Sequence, residues 1–499
     1  MIGGMTSVDP PLAPSRALES LWRDAGLPVA SLAHATLTGT EPVLPSSFAV
    51  GTAAQASFAA AALAAAEIGH SRNGLRQQVG VDMRHAALEC SGHFTVDGVA
   101  PNVWDKLAGL YTCANGGVRL HTNFAHHRDG VLRLLGLPIG EQTERAAVAD
   151  ALQRWDAFEF EQAATDAGLV VAAVRSFATW DAHPQRAALA ALPLVAIERI
   201  GDAPPLHLPE LATADRPLTG VRVLDLTRIL AGPFCGRTLA AYGADVLLVN
   251  SPDLPNIEAI VDTSRGKLSA LADLRSDAGR NALRGVLRDA HVVVQGYRPG
   301  ALAALGFAPA AVAALRPGIV MVSLSAYGTT GPWAGKRGFD SLVQTATGFN
   351  LAEAEAAGSA QPRALPMQIL DMASGALMAF GAQAALLRQQ TEGGSWHVQV
   401  SLARTGQWLR ELGRVDGGLA GAKAEFSTVM QDSDSGWGRL RRSGLQHSSR
   451  TRPPATRGHR CRPARTRSRG PELIAPRPCA AHARVRKSPP HPTERVPPP

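Results

Sequence analysis

The residue best placed to do chemistry in this chain is Asp371, which stands in the segment LDMASGA at residues 370–376. An Ala-rich apolar stretch follows it and predicts a helix of about eighteen residues. The first turn of a helix has unpaired N–H groups and the positive end of the helix dipole, so it keeps a carboxylate ionised and stabilises an oxyanion beside it. Asp371 can therefore act as a nucleophile. It can also be only the N-cap, which is the commoner role for an isolated Asp before a helix.

The elements that must position Asp371 form an α/β pattern. Short apolar runs rich in β-branched residues occur at 221–226, 245–249, 291–295 and 319–325, and helical patterns such as 234–242 and 277–289 separate them. This alternation predicts a parallel sheet with helices on both faces. The first loop, from Thr227 to Pro233, lies at a strand's carboxyl end, where open α/β sheets bind ligands. Neither a G-x-G-x-x-G motif nor a P-loop of the required spacing is present, which argues against dinucleotide oxidoreductases and NTPases.

Residues 217–415 resemble the family III CoA-transferases, because several independent motifs stand in that family's order. The opening reads PLTGVRVLDLTRILAGPF at 217–234, followed by YGADVLLV at 242–249, SRGK at 264–267 and DLR at 273–275. The motifs VQGYRPG at 294–300, LGF at 305–307, LRP at 315–317, VSLSAYG at 322–328, GP at 331–332 and GFD at 338–340 follow. Asp371 then falls where the family has its nucleophilic aspartate.

The resemblance implies transfer of CoA between carboxylates without ATP. In the family's chemistry, the aspartate attacks the thioester carbonyl and gives a mixed anhydride and CoA thiolate. The thiolate then attacks the aspartyl carbonyl to form an aspartyl-CoA thioester, and the acceptor acid reverses both steps. Dividing one acyl exchange into easier covalent steps is the general gain of nucleophilic catalysis. Acyl-CoA and a free carboxylic acid are the implied substrates, with no tightly bound cofactor and no metal.

Family contacts can also be transferred onto matching positions of this sequence. The implied CoA-binding residues are Ile229, Ala231, Arg275, Gly296, Tyr297, Arg298 and Arg337. Arginine suits this ligand because a guanidinium pairs bidentately with phosphate. Each arginine alone is more typical of a solvated surface charge, and only its position in the motifs favours a contact with CoA. Asp340 is either a second carboxylate near the reacting centre or a cap for a helix at 341–348.

Three departures from the family's patterns bear on the reaction. An α-methylacyl-CoA racemase has a His in a Gly-His-Asp motif for two-base proton exchange, whereas this chain has Phe339, which cannot titrate. A racemase is disfavoured unless Asp340 substitutes for that His. Asn250 stands where the family usually has Glu, and Leu230 replaces a Gln of formyl-CoA transferases, which argues against oxalate. A non-catalytic CoA-binding homologue stays an alternative.

The first 210 residues contain a second copy of part of this pattern. Residues 53–88 align with 372–407 at a constant offset, which predicts an internal repeat. Thr52 occupies the position of Asp371, so the first copy is degenerate. The segments that follow, from 111 to 185, resemble the family's smaller C-terminal domain. We therefore predict a degenerate C-terminal half at 1–210 with a small α+β domain, and a Rossmann-like active-site domain at 217–415, as a homodimer or a self-interlocked monomer.

The charge of the chain is concentrated at its end. Residues 441–499 carry fifteen Lys or Arg and two Glu, a net charge of +13, whereas the whole chain carries +8, so residues 1–440 carry −5. A mildly acidic body favours a soluble enzyme over a nucleic-acid binder. Residues 416–499 are predicted to be a disordered Arg/Pro-rich tail, either the product of a frameshift or a basic arm.

The remaining features favour a cytoplasmic location. The five cysteines have no framework spacing, which is typical of reduced thiols. The N-terminus lacks a signal-peptide pattern, and the Ala-rich helices are short for a bilayer, so neither secretion nor a membrane is expected. His121, His126 and His127 lack Cys or carboxylate partners at metal-ligand spacing, and no metal is expected.

Overall fold

The computed structural model describes residues 11–212 and 214–444, together with the backbone of 447–449. Its first part contains the helices α1 (Pro14–Asp24), α2 (Val50–Asn73), α3 (Met83–Cys90), α4 (Ala125–Leu134), α5 (Arg145–Leu152), α6 (Ala157–Asp166), α7 (Phe177–Asp181) and α8 (Pro184–Ala190). The strands of this part are β1 (Ala35–Thr38), β2 (Val79–Asp82), β3 (Phe94–Val96), β4 (Gly109–Thr112), β5 (Gly117–Leu120), β6 (Val171–Ala173) and β7 (Ala196–Gly201).

The second part begins with the sheet that the sequence predicts. The strands of this second part are β8 (Arg222–Leu226), β9 (Asp245–Asn250), β10 (Lys267–Leu271), β11 (Val292–Gln295), β12 (Val320–Ser325), β13 (Ser395–Ser401), β14 (Met430–Ser435), β15 (Gly438–Ser443) and β16 (His447–Ser449). Its helices are α9 (Ala231–Ala241), α10 (Ile260–Thr263), α11 (Asp277–Leu287), α12 (Ala301–Ala304), α13 (Pro309–Leu315), α14 (Asp340–Ala346), α15 (Phe349–Ala356), α16 (Ile369–Glu392) and α17 (Leu402–Glu411).

The main sheet has the order β10-β9-β8-β11-β12-β13-β7. The first six strands are parallel in this order, and β7 pairs with β13 in the antiparallel sense. The predicted mixed α/β architecture with a parallel sheet is thus confirmed, and the six parallel strands follow the order of doubly wound sheets. Both faces are covered because alternate side chains of one strand enter different cores: Val292 and Val294 pack with α9 and α16, whereas Val293 packs with α11 and α13.

The helices α2 and α16 form the centre of the molecule and pack against each other. Each has 24 residues, many of them the small residues Ala and Gly, which let two helices approach closely. α16 is long and apolar enough to cross a bilayer by composition, but it is buried within the protein. Each helix leads through a glycine to a strand and then to a helix whose first turn is capped by Asp82 or Ser401. The internal repeat itself stays a prediction.

A smaller unit between residues 109 and 190 docks onto the main sheet's helices. Strands β4, β5 and β6 form an antiparallel sheet that shares its own apolar core with α5 and α6. The buried Glu161 of α6 accepts hydrogen bonds from Arg175 and from Lys336, which lies just before α14. This ion cluster fixes the small unit to the segment that leads to Asp340.

The prediction of disorder from residue 416 onwards is wrong for residues 416–444. There, β14 and β15 form an antiparallel pair that continues onto β3 near the N-terminal half. The segment is ordered because buried and exposed side chains alternate along β15, as in a strand with one covered face. Leu440 and Arg442 are buried, whereas Arg439 and Arg441 are exposed. Apart from the backbone of 447–449, residues 445–499 lie outside the described residues, and Cys461 and Cys479 are among them.

Candidate active site

Asp371 lies in the first turn of α16, two residues after the helix begins at Ile369. Gln368, not Asp371, occupies the N-cap position, so the side chain of Asp371 does not cap the helix. Asp371 is only 7% exposed. None of the described residues donates a hydrogen bond to its carboxylate, which therefore keeps its oxygens available for a substrate.

Asp340 is the immediate partner of Asp371 and is completely buried. Its Oδ2 accepts the backbone N–H of Asp371 at 2.8 Å, and its Oδ1 accepts Nε2 of Gln344 at 2.5 Å. Asp340 is the first residue of α14, yet it caps α16 instead of its own helix. The first-turn N–H of Asp371 is therefore engaged, so it is not free to hold an oxyanion, contrary to the expectation from the sequence.

The two carboxyl groups strongly affect each other's protonation. Burial raises the pKa of Asp340 to about 7, even though the hydrogen bonds that it accepts act in the opposite direction. Burial and the nearby Asp340 charge raise the pKa of Asp371 well above its usual range. Two like charges at one buried place share protons, so the ionisations belong to the pair and not to either residue.

The first loop approaches Asp371 through a contact between α9 and α16. Gly375 lies one turn after Asp371, on the same face of α16. A Cβ at Gly375 would stand 2.4 Å from the carbonyl oxygen of Ala231, a distance that backbone atoms cannot tolerate. The loop that contains Ala231 thus lies directly against the helix of the reacting carboxylate.

We expect Gly375→Ala to lower the free energy of unfolding by roughly 1–3 kcal/mol, because the added methyl group must displace the start of α9. Binding of acyl-CoA should weaken with it. Chemical denaturation of the purified variant measures the first effect. Gly285→Ala is the matched control: no atom lies within 4 Å of a Cβ there, so replacing this exposed helical glycine should stabilise by about 0.5–1 kcal/mol. Equal effects at both positions would contradict the close contact.

A buried ion pair holds the shape of this loop. Lys267 donates to Oδ2 of Asp225 at 2.8 Å and to the carbonyl of Pro233 at 2.7 Å, and Asp225 also accepts the N–H of Thr227 at 2.9 Å. Within the loop, Ile229 has a φ of +80°, which a β-branched residue rarely adopts. Such strain costs on the order of 1–3 kcal/mol and persists where the surrounding structure enforces it. The ion pair holds both ends of this loop, through Thr227 and Pro233.

The small unit closes the other side of the site. The His121 ring stacks on Phe339, next to Asp340, with 3.9 Å between ring centroids. Arg119 lies two residues earlier, in β5, where burial lowers its pKa and the Asp340 charge acts in the opposite direction. Sequence reasoning missed both residues for this site and considered His121 only as a metal ligand. The sequence feature that could have identified them is the pair of polar side chains at alternate positions, 119 and 121, next to an otherwise apolar strand.

The predicted CoA contacts divide into two groups. Burial lowers the pKa of Arg337, and the charge of Arg298 lowers it further. Burial also lowers the pKa of His126, to which the charges of Arg337 and Arg228 contribute. This basic cluster, Arg228, Arg298 and Arg337, includes one arginine that sequence reasoning did not select. Arg275 is 71% exposed and pairs with Asp253 and Asp273. Its charge is already compensated, so the structure does not bring Arg275 into the basic cluster.

The other predicted contacts lie around the carboxyl ends of β8 and β11. The turn at Gly296 and Tyr297 follows β11, and the N–H of Tyr297 donates to the side chain of Gln295 at 2.8 Å. Among the residues described, no group of three or more His, Cys, Asp or Glu side chains could hold a metal. Burial lowers the pKa of His121 to about 4 and that of His127 to about 3, which keeps both imidazoles neutral at physiological pH.

Fold and site together describe an α/β domain arranged for chemistry at a buried carboxylate. Residues 218–412 match the family described as CoA-transferase family III. The chain therefore carries a CoA-transferase family III region, and the resemblance inferred from the motifs is confirmed.

Several named proteins are similar to this chain. It is 31% identical to the acetyl-coenzyme A transferase nodX of Hypoxylon pulicicidum over 59% of this chain and 53% of that protein. It is 33% identical to a succinate–glutarate CoA-transferase of Agrobacterium fabrum over 37% of this chain and 51% of that protein. An acyl-CoA transferase of Gibberella moniliformis is 30% identical over 65% of this chain and 64% of that protein. The chain thus spans between about half and two thirds of these relatives' lengths.

A solved structure is also similar in sequence. The crystal structure of a hypothetical protein (Rv3272) from Mycobacterium tuberculosis is 31% identical, covers 39% of this chain and 57% of that chain, and has a TM-score of 0.37.

Proposed function

We propose that this protein is an acyl-CoA:carboxylate CoA-transferase and that Asp371 is its nucleophile. The observation that carries the proposal is the free, nearly enclosed carboxylate of Asp371, placed between the first loop and the small unit. A carboxylate freed from water and from hydrogen-bond donors is a stronger nucleophile than a solvated one. The names of the similar proteins, which are acyl-CoA or dicarboxylate CoA-transferases, support the same reaction class.

The proposed reaction moves one CoA thiolate and one oxygen atom. An oxygen of Asp371 attacks the acyl-CoA carbonyl, the C–S bond breaks, and a mixed anhydride forms. The released thiolate attacks the aspartyl carbonyl, which yields an aspartyl-CoA thioester and expels the donor acid with an oxygen from Asp371. The acceptor carboxylate then repeats both steps in reverse, and Asp371 regains an oxygen. Neither ATP nor a bound cofactor is consumed in this scheme.

The basic cluster is the place where we expect the phosphates of CoA. Arg228 lies in the first loop, Arg298 lies in the turn after β11, and Arg337 lies before α14, where it donates to the carbonyl of Gly168 in the small unit at 3.0 Å. Their charges repel one another, so an anionic ligand between them would be stabilised. Ile229, Ala231, Gly296 and Tyr297 would then contact the remainder of the ligand through the loop backbone and the Tyr ring.

The N-terminal half would supply the part of the active site that a partner subunit supplies in an interlocked homodimer. The constant offset between α2 and α16, and the docking of the small unit next to Asp340, support a fused and degenerate first copy. Thr52 illustrates the degeneration: its N–H donates to Glu41 at 2.7 Å, as that of Asp371 does to Asp340, but its side chain offers no carboxylate. We propose a cytoplasmic enzyme whose site is completed within one chain, either as a monomer or as a homodimer.

A racemase or epimerase is the second candidate, because Asp340 can hold a proton near neutral pH. Such an enzyme would need two groups that exchange a proton at the α-carbon. Phe339 and the neutral His121 behind it give less support to this chemistry. Exchange of the α-hydrogen for deuterium from D₂O would identify it, whereas a transferase incorporates none. An inactive CoA-binding homologue would bind CoA and show neither reaction.

Trapping with hydroxylamine tests the proposed function. The purified chain is incubated with acyl-CoAs and hydroxylamine, and its peptides are analysed by mass spectrometry. A hydroxamate at Asp371 is expected, because both the mixed anhydride and the aspartyl thioester are electrophilic. Binding of CoA without modification of Asp371 would contradict the proposal.

We expect the rate of acyl-CoA cleavage to rise with pH, with a midpoint above the usual range of an aspartate. The nucleophile must be ionised, and burial together with the Asp340 charge raises the pKa of Asp371 well above that range. Asp340→Asn should move the midpoint to lower pH, because it removes the like charge and keeps an acceptor for the N–H of Asp371. Measuring kcat/KM from about pH 5 to 9 checks this, and coincident profiles for the two proteins would refute it.

A further inference from the structure

A cavity of about 230 Å³ lies at the carboxyl ends of β11, β12 and β13. It is on the face of the main sheet that packs with α11 and α13, because Met321 of that core lines it, whereas Val322 packs with α16 on the other face. Asp371 belongs to α16, so the sheet separates it from the cavity. The cavity is therefore distinct from the reacting centre of the proposed CoA transfer.

The floor of the cavity is polar, whereas earlier positions on the same face of the sheet, such as Val293, are apolar. Gln295 of β11 pairs in register with Ser323 of β12, and Ser323 pairs with Gln399 of β13. His397 lies on the same face of β13, two residues before Gln399. The walls are apolar side chains, namely Leu302, Phe307, Pro309 and Leu324. A few polar groups among apolar walls are the usual composition of a small-molecule site.

Ser323 and His397 form a hydrogen-bonded pair on this floor. Oγ of Ser323 lies 2.8 Å from Nε2 of His397. Burial lowers the pKa of His397 to about 4, so the ring is neutral at physiological pH and one nitrogen keeps a lone pair. With the ring proton on Nδ1, Nε2 accepts the hydroxyl proton, as a general base does for a serine nucleophile. Within the described part of the chain no carboxylate bonds to His397, so the pair is a dyad and not a triad.

Gln295 supplies a hydrogen-bond donor beside this pair. Its Oε1 accepts the N–H of Tyr297 at 2.8 Å, which fixes the amide and leaves Nε2 without an acceptor among the described residues. Because Gln295 and Ser323 are register partners on adjacent strands, this amide N–H can stabilise an oxyanion that forms at Ser323.

Ser325 provides an internal comparison, because it lines the same cavity without a histidine partner. Its Oγ accepts the N–H of Gly328 at 3.1 Å. Ser325 is also more exposed than Ser323, of which only 8% is exposed. A reagent that selects by access would modify Ser325 first, whereas a reagent that selects by activation would modify Ser323.

We propose that Ser323 and His397 form a second catalytic site, which hydrolyses small uncharged carboxylic esters. Of the described residues that line the cavity, only Arg298 carries a charge at neutral pH, so the cavity favours an uncharged substrate. The proposal does not depend on the CoA-transferase reaction.

The proposed hydrolysis needs only the ester and water. Oγ of Ser323 attacks the ester carbonyl, and its proton passes to Nε2 of His397. The C–O bond to the alcohol breaks, the alcohol takes that proton, and an acyl-serine remains. Water then gives one proton to Nε2 and its oxygen to the acyl group. The acid leaves, and the proton returns to Ser323.

Labelling with an alkyl fluorophosphonate tests the proposal, because Oγ of an activated serine displaces fluoride from phosphorus. Mass spectrometry of the wild-type peptides should show the adduct at Ser323 and none at Ser325. His397→Gln should slow the labelling roughly 10²- to 10⁴-fold, the range for loss of a general base. Ser323→Ala should abolish both the labelling at this position and the release of p-nitrophenol from p-nitrophenyl acetate, and it should leave CoA transfer unchanged.

Three results would overturn the proposal: no adduct at Ser323, equal labelling of Ser323 and Ser325, or an unchanged labelling rate in His397→Gln. The labelling of the wild-type protein needs no variant, so a folding defect in either substitution leaves the test decisive. Failure to trap Asp371 with hydroxylamine would contradict only the proposed CoA transfer.

Discussion

Replacing Asp371 with Asn should abolish CoA transfer, with a fall in kcat of about 10⁴-fold or more, because loss of a covalent nucleophile removes the whole two-step path. The substitution hardly changes size, and the backbone N–H of residue 371 can still donate to Asp340. The fold should therefore persist, with an unfolding midpoint close to that of the wild type. Transfer from acetyl-CoA to an acceptor acid, followed by chromatography of the CoA esters, measures the effect.

Asp340→Asn is the matched control for Asp371→Asn. It removes the neighbouring carboxylate and preserves an acceptor for the N–H of Asp371, so we expect a smaller loss of activity together with the shifted pH profile. Both variants should still bind CoA through the basic cluster. Near-normal activity in Asp371→Asn, or equal losses in both variants, would contradict the assignment of the nucleophile.

Glu161→Ala should lower the free energy of unfolding by roughly 3–5 kcal/mol, because it leaves buried cations without their partner. Glu161 holds Arg175 with an Nη1–Oε1 distance of 3.1 Å and Lys336 with an Nζ–Oε1 distance of 2.8 Å. Lys336 precedes the segment that leads to Asp340, so loosening of the small unit should also reduce activity. Equilibrium denaturation in urea, followed by fluorescence of Trp333 and its neighbours, measures the stability change.

The control for Glu161→Ala is Glu144→Ala, at an exposed pair. Glu144 accepts from Lys106 at 2.6 Å, but water surrounds both side chains, and such pairs contribute at most about 1 kcal/mol. If Glu161→Ala cost as little as Glu144→Ala, the small unit would not be fixed to the active-site segment as described. Completion of the site by the N-terminal half would then be contradicted.

Local sequence patterns were sufficient for four of the seven strands of the main sheet. The β-branched runs predicted β8, β9, β11 and β12 to within about one residue at each end, because their side chains are buried on both faces. The edge strand β10 was not predicted as a strand. It contains Lys267, whose charge is hidden by Asp225, and the exposed Leu268, so it lacks the apolar run of a central strand.

The site could be predicted only where one segment determines it. Asp371 stands next to its own helix, and motif order alone selected it. The roles of Arg119 and His121 depend on β5 meeting α14, a contact between distant parts of the chain that periodicity cannot show. Asp340 illustrates the same limit: the sequence allowed either a second carboxylate near the reacting centre or a cap for the helix that follows it, and only tertiary packing directs its carboxylate to the N–H of Asp371 in α16.

Residues 416–444 were misjudged because composition dominated the prediction. The basic composition of the tail does not extend to this segment, which carries four Lys or Arg and four Asp or Glu. The pairing of β15 with β3 satisfies its backbone, and the N–H of Arg439 donates to Asp97 at 2.8 Å. Sequence-distant strand pairing of this kind depends on a partner that the segment itself does not reveal.

Oxygen-18 transfer tests the central claim most directly. If Asp371 forms the anhydride and the thioester, an acceptor acid labelled with ¹⁸O in its carboxylates must leave one labelled oxygen on Asp371 when its acyl-CoA is released. After a single turnover, mass spectrometry of the peptide that contains Asp371 should show a gain of about 2 Da, and further turnover should place the label in the released donor acid. An unlabelled Asp371 peptide despite complete CoA transfer would contradict the account.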